Sequence, residues 1–351
     1  MSEMSFFERI WHGEGAVLDA TRSLLAPLSL AYRTGIAGRN ALYDAGVLKS
    51  VAPAIPAVSI GNLSVGGTGK TPVSSWIAGR LLDRGGHPAI VLRGYGDDER
   101  LVHKRLQPDV PVIASPDRAR GIARAFAEGA DIAVMDDAFQ HRRVRRMADI
   151  VLISADQWTG RRLLLPAGPW REPLSALNRA TLIIVTRKAV SDQASDSTCS
   201  AIHEVVPHLP IVILSLRLEN LVRDDGSIKT SVSELRDTKV LAIAAIADTR
   251  AFVKQLEDAG ASVRAALYPD HHPFDRAEAE RLAKSLVPNE RAICTLKDAV
   301  KLAPLWPRAA SPLWYVSQRV IPAAGVEHLE ALFDTMLDAR ATHQPSPPQT
   351  R

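Results

Sequence analysis

Ile55-Pro-Ala-Val-Ser-Ile-Gly-Asn-Leu-Ser-Val-Gly-Gly-Thr-Gly-Lys-Thr71 is an apolar, β-rich run that feeds directly into a glycine-rich turn ending in Gly-Lys-Thr. Glycines at 66, 67 and 69 allow backbone N–H groups to close around phosphate oxygens. Lys70 can then reach the terminal phosphates, and Thr71 can place its hydroxyl on Mg²⁺ at a helix N-terminus. The segment Gly66, Gly67, Thr68, Gly69, Lys70, Thr71 is therefore the candidate nucleotide cradle. Ser64 stands where the strict G-x-x-x-x-G-K-[ST] pattern has its first glycine, so the match is to the Gly-Gly-x-Gly-Lys-Thr variant. A chance glycine turn is the competing reading. Against it stands the context, a strand before and a helical spacing of Val73, Trp76, Ile77, Leu81 and Leu82 after.

Further apolar runs follow at 87–93, 111–114, 131–137, 150–153 and 181–185, with a helical spacing between Asp117 and Glu128. Strands that are apolar throughout and alternate with helices predict a mostly parallel α/β sheet covered on both faces, of the P-loop NTPase type. The turn signature Arg223-Asp-Asp-Gly226 marks a boundary. Beyond it, 240–246, 263–267, 292–295 and 313–316 read as strands, and 249–259 and 275–286 as helices, giving a second, smaller α/β domain. The expected organisation is an N-terminal segment 1–50, a core 51–225, a small domain 226–340 and a disordered tail 341–351.

At 351 residues, with 46% apolar and 23% charged side chains, the composition is that of a globular chain of about two domains. Cys199 and Cys294 stand alone, which excludes a disulfide framework or a cysteine zinc site. A net charge of +4 says little about partners, although Arg142, Arg143, Arg145 and Arg146 form a basic knot. Glu3, Glu8 and Arg9 argue against a signal peptide, and Asp19 and Arg22 against a membrane span over 16–32. That stretch reads instead as an amphipathic helix bent at Pro27. Val17, Leu18, Leu24, Leu25, Leu28 and Tyr32 fall on one face, opposite Asp19, Arg22, Ser29 and Arg33. It either packs on its own domain or lies in a membrane interface.

Two strand ends carry carboxylates. Asp136 and Asp137 close an apolar strand, the position from which one of them organises Mg²⁺ in a phosphate-binding fold; a plain helix cap is the alternative. Asp97, Asp98 and Glu99 follow Gly94-Tyr-Gly96 at another strand's carboxyl end, the edge at which open α/β sheets bind ligands. His271 lies in the proline-bracketed loop 268–274, where it can orient a carboxylate base across a cleft or serve the loop alone.

Together these segments resemble the tetraacyldisaccharide 4′-kinases. The matching stretches are Val58–Pro72, Arg93-Gly-Tyr-Gly96, Ser115-Pro-Asp-Arg118, Asp136-Asp-Ala-Phe-Gln-His-Arg142, Leu165–Pro173, Pro269-Asp-His271 and Thr295-Leu-Lys-Asp-Ala-Val300, in family order. The resemblance implies transfer of the ATP γ-phosphate to the 4′-hydroxyl of a tetraacyl disaccharide 1-phosphate, forming lipid IVA with ATP and Mg²⁺. It implies Asp98 and His271 as the base dyad with Lys70 at the phosphates, and Thr71, Glu99, Asp136 and Asp137 around the metal. Arg118, His141, Arg171 and Glu172 fall on the acceptor side. The implied setting is peripheral, on the cytoplasmic face of the inner membrane, with no nucleic acid and no obligatory protein partner.

Three positions depart from the family pattern: Arg100 stands for proline after Asp98-Glu99, Ala138 for glycine and Leu296 for glutamate. The spacer before Asp98 is nearly gone, so Asp97 competes with Asp98 as the base. A nucleotide-dependent switch or metallochaperone is the alternative class, although Val65 stands where its signature lysine would be. A nucleic-acid binder using the arginine knot is weaker, with 5% aromatics and no recognisable module.

Overall fold

Ala57–Asn62 forms β1, and all six of its residues are buried, as a strand covered on both faces must be. The structure, a computed structural model, describes residues 10–11, 13–94, 98–158 and 161–342. Asp97 and residues 343–351 lie outside them. In chain order the elements are α1 (Ala16–Asp44), β1, α2 (Lys70–Asp83), β2 (Pro88–Leu92), α3 (Asp98–Leu106), β3 (Val112–Ala114), α4 (Arg118–Ala127), β4 (Ile132–Asp136), β5 (Ala148–Ser154), β6 (Leu182–Arg187), α5 (Asp192–His203), β7 (Ile211–Arg223) and β8 (Lys229–Ser231). Then come β9 (Lys239–Ala244), α6 (Thr249–Asp258), β10 (Ser262–Leu267), α7 (Arg276–Lys284), β11 (Glu290–Thr295), α8 (Leu296–Leu302), β12 (Leu313–Ala324) and α9 (Val326–Thr342).

One sheet runs in the order β10-β9-β11-β12-β7-β6-β5-β1-β4-β2-β3, with β8 beside β7. Its pairings are parallel except β12 with β7 and β7 with β8. Alternate residues of β1 feed opposite layers. Val58 and Ile60 pack with Ile77 and Leu81 of α2 and Phe333 of α9. Ala57 packs with Val91, Met135 and Ile122 of α4 on the other side. The strands around β9 and β11 carry two cores of their own, one holding Leu241, Ile243 and Cys294, the other Val240, Ala242 and Phe252. The two groups of parallel strands are joined through the long antiparallel pair in which Trp314 faces Arg223 at one end and Ala324 faces Ile213 at the other.

Helix α1 is longer than its spacing suggested, and its faces are divided differently. Arg22 turns inward and is buried, donating to the carbonyls of Ile10 and Gly13 and to Asp19. Ser29 also points inward, donating to the Leu164 carbonyl and accepting from the Ala167 amide. Val17 and Leu24 are each 79% exposed, and Leu28 and Leu30 point outward as well. Successive positions 17, 20, 24, 28 and 31 therefore make an exposed stripe of Val, Ala, Leu, Leu and Ala, because the protein-facing side is the one holding the buried arginine. Among the described residues, no helix is long and apolar enough to cross a membrane.

Candidate active site

The turn after β1 is built by its glycines. Gly66 has φ 122° and Gly69, which starts α2, has φ 82°, both in the region that disfavours a Cβ. The turn is held from several directions. The Val65 amide donates to the Pro169 carbonyl at 2.7 Å, and Thr186 at the end of β6 donates its hydroxyl to the Thr68 carbonyl at 2.9 Å. Lys188 donates to the Gly67 carbonyl at 2.6 Å and to Asp248 at 2.7 Å. Asp248 also caps α6, accepting from the Ala251 amide, so the small α/β unit rests directly on the cradle.

A cavity of about 340 Å³ opens over this turn. Its lining includes Gly66 through Thr71, Glu99, Asp137, Arg171 and Lys188 from the first group of strands, and Asp248, Phe252, Gln255, Asp270, His271 and Lys297 from the second. Lys70 stands 3.8 Å from Asp137, whose carboxylate also accepts from one Arg171 nitrogen at 2.9 and 3.1 Å. Asp137 itself adopts φ 47°, a left-handed conformation that aims it at the P-loop lysine.

Asp98 begins α3. Its carboxylate faces Nδ1 of His271 at 3.6 Å, within ion-pair reach and slightly beyond a normal hydrogen bond. The imidazole beside it holds the Asp98 carboxyl below its ordinary range despite partial burial. The same contact raises His271, against burial and the charge of Lys297. Glu99 is pushed up by burial and next by the charge of Asp136. A carboxylate in that state gains most from a nearby cation.

Asp136 lies behind the cavity and is buried. Ser74 donates to one carboxylate oxygen at 2.9 Å, the Asp137 amide to the same oxygen at 3.0 Å, and Nε2 of His103 lies 3.1 Å from the other. Burial presses its pKa upward, but the His103 hydrogen bond, the charges of His103 and Lys70, and Ser74 outweigh it and hold the carboxyl down. Both oxygens being engaged, Asp137 is the strand-end carboxylate that reaches the cavity. Among the described residues, no three His, Cys, Asp or Glu side chains converge closely enough to enclose a metal by themselves.

Of the residues expected on the acceptor side, only Arg171 lines the cavity. Arg118 is buried and donates to the carbonyls of Ser115 and Asp136, bracing the ends of β3 and β4; burial pushes its pKa down to about 10. His141 falls to about 4 through burial and the charges of Arg118 and Arg146, which keeps it neutral, and its Nε2 is buried without a hydrogen-bond partner. Glu172 is enclosed by Arg179 and Asn40. The basic knot is largely structural: Arg142 holds Asp44 and the Asn40 carbonyl, and Arg146 holds Asp149 and the carbonyls of Phe139 and His141.

Sequence reasoning missed Lys188, Asp248, Gln255 and His103, none of which sits in a recognisable pattern. It assigned no role to Lys297, although Lys297 lies within Thr295-Leu-Lys-Asp-Ala-Val300.

Comparison with known proteins agrees with this arrangement. The family profile of Tetraacyldisaccharide-1-P 4′-kinase matches residues 21–107 and 96–338. A tetraacyldisaccharide 4′-kinase of Anaeromyxobacter sp. (strain Fw109-5) is 37% identical, with 95% of this chain and 97% of that protein covered. The corresponding kinase of Syntrophus aciditrophicus is 34% identical over 92% of this chain and 96% of its own. The crystal structure of LpxK from Aquifex aeolicus in complex with ATP superposes with a TM-score of 0.69 and 27% identity, covering 90% of this chain and 99% of that one. With a glycine cradle, a carboxylate–histidine pair facing it and relatives matched nearly end to end, the chain belongs to the tetraacyldisaccharide 4′-kinase family.

Proposed function

We propose that this chain transfers the γ-phosphate of ATP to the 4′-hydroxyl of a tetraacyl disaccharide 1-phosphate, yielding the bis-phosphorylated lipid IVA. The observation that carries the mechanism is the contact of Asp98 with His271, which itself lines the cavity over the P-loop that presents Lys70. A sugar hydroxyl is a weak nucleophile. Asp98, held charged by its histidine partner, accepts the hydroxyl proton as the oxygen attacks the γ-phosphorus. Lys70 and the backbone amides of the turn offset charge on the transferring group, so positioning and electrostatics supply most of the rate. Arg171, already tied to Asp137, is placed to meet a phosphate.

Mg²⁺ suits the hard oxygen donors of Thr71, Glu99 and Asp137, all on the cavity wall, with Asp136 fixed behind them. Few protein ligands are needed, because Mg²⁺ keeps waters and phosphate oxygens in its shell. When bound it would neutralise charge on the phosphates.

The acceptor carries four acyl chains, and the exposed stripe Val17, Leu24 and Leu28 on α1 offers an apolar face to a bilayer surface. We place the enzyme as a peripheral protein on the cytoplasmic face of the inner membrane, the side on which ATP is available. The test is incubation of purified protein with labelled ATP, Mg²⁺ and disaccharide 1-phosphate in detergent micelles. Label at the 4′ position of the lipid supports the reading. ATP hydrolysis that ignores the acceptor and leaves the lipid unlabelled overturns it in favour of a nucleotide-driven switch.

A further inference from the structure

We propose that Lys297 is a positioning residue that pins the proton of His271 on Nδ1, the ring nitrogen facing Asp98. An ammonium group has three donors and no acceptor. Lys297 Nζ lies 3.1 Å from His271 Nε2 and 3.0 Å from Asp270 Oδ1. A hydrogen bond from Lys297 to Nε2 therefore requires that Nε2 present its lone pair. The proton of the neutral ring then sits on Nδ1, 3.6 Å from Asp98 Oδ2. Asp270 balances the ammonium charge, so the cation can stand beside the imidazole.

The two segments that bring Lys297 and His271 together are locked through a single residue. The Ala245 carbonyl accepts from the His271 amide at 3.3 Å, and the Ala245 amide donates to Asp298 at 3.1 Å. Asp298 is fully buried, accepts from the Thr295 hydroxyl at 2.7 Å and so fixes the first turn of α8, which carries Lys297. His271 takes φ 61°, and its amide also donates to Asp270 Oδ1 at 3.0 Å. Lys301 grips the carbonyl of the next residue, His272. The imidazole is thus oriented by its backbone and by the lysine.

The consequence, which rests on the kinase reading above, concerns where the acceptor proton goes. The acceptor O–H bond breaks and an O–H bond forms on Asp98. The acceptor oxygen bonds the γ-phosphorus, and the bond to the β,γ-bridging oxygen breaks with its electron pair leaving on ADP. With Nε2 occupied by Lys297 and Nδ1 already protonated, the imidazole takes no proton in this step. It holds Asp98 charged beforehand, and Asp98 then returns its proton to solvent. Lys297 moves no proton.

The test uses the full-length protein with ¹⁵N-labelled histidine at about pH 8, above the ordinary histidine range. His271→Gln identifies the His271 signals. The wild type should show a protonated Nδ1 and an unprotonated Nε2. Lys297→Met should give mixed tautomers and lower kcat by about tenfold, with both KM values within about threefold, as expected for a lost positioning contact. Lys297→Arg, again a pure donor, should restore the single tautomer. A wild-type proton on Nε2, an imidazolium, or an unchanged tautomer in Lys297→Met overturns the proposal. So does a raised ATP KM with kcat preserved, which would make Lys297 a nucleotide contact. The spectra need no turnover, so failure of the kinase reading itself would be recognised separately.

Discussion

Replacing Asp98 with asparagine tests the base most sharply. The substitution keeps the shape of a side chain that is only 14% exposed and begins a helix, so the fold should tolerate it. The amide cannot accept the hydroxyl proton. Loss of a positioned general base costs about 10²–10⁴-fold, and at about 1.36 kcal/mol per decade the barrier rises by roughly 2.7–5.4 kcal/mol. Because the Lys188 and Gly67 contacts on the cradle are untouched, the ATP KM should stay within about threefold, the signature of an interaction made in the transition state. Phosphate transfer to disaccharide 1-phosphate in mixed micelles, followed as initial rates against ATP, measures both constants.

The pH dependence adds a second reading of the same residue. His271 holds Asp98 below its ordinary value of 3.8. The share of this contact carried by the lowered Asp98 is therefore fully present above 3.8 and is lost as pH falls through the lower folded value, whereas the share carried by the raised His271 is lost as pH rises through that histidine's folded value. Asp98 stays ionised at every pH near neutrality, and no fall in kcat between about pH 8 and pH 6 should originate from it. An Asp98→Asn enzyme whose kcat lies within about threefold of wild type would refute the assignment. A crippled Asp97→Ala beside a mild Asp98→Ala would move the base by one residue.

Three other perturbations follow from contacts around the cavity. Gly67→Ala places a Cβ 2.8 Å from the Asp248 Cβ, so α6 must move off the cradle; overpacking of roughly 1–3 kcal/mol should raise the ATP KM by about ten- to hundredfold in the transfer assay. Lys188→Met strands the Asp248 carboxylate, whose side chain is only 10% exposed, and thermal denaturation should show a loss of about 3–5 kcal/mol. Leu24→Ser and Leu28→Ser should each weaken sedimentation with anionic vesicles by about tenfold or more, since each gives up roughly 1.5–3 kcal/mol of apolar burial. Unchanged vesicle binding in the double variant would remove α1 from the membrane account.

The parts of the fold read from local pattern were those whose burial is local. β1, β2, β4, β5 and β6 are built on short apolar runs, and the helix after the cradle shows its spacing plainly. The long β7 does not show in the sequence, and β12 shows only at 313–316, because Ile211–Arg223 is paired with Leu313–Ala324 and nothing in either stretch announces a partner so distant in sequence. Helix α3 does not show in the sequence because Asp98–Leu106 is mostly charged and buries only Val102 and His103. That same helix brings Glu99 to the cavity and Asp98 to His271 on its wall despite the shortened spacer. On the acceptor side, Arg118 and Glu172 are consumed by backbone and side-chain partners that only folding reveals. Lys188 and Asp248 meet at the cradle across 60 residues of chain, a pairing that depends on the sheet order.

Asp98 and His271, delivered from opposite halves of the sheet, act as one unit toward a sugar hydroxyl, Asp98 as the base and His271 holding it. A double-mutant cycle on the acceptor-dependent kcat tests it most directly, with Asp98→Ala, His271→Ala and the pair measured at saturating ATP. The double variant should fall no further than Asp98→Ala alone, because a histidine with no carboxylate to hold has nothing left to contribute. Losses that simply multiply would contradict it and show two residues working independently.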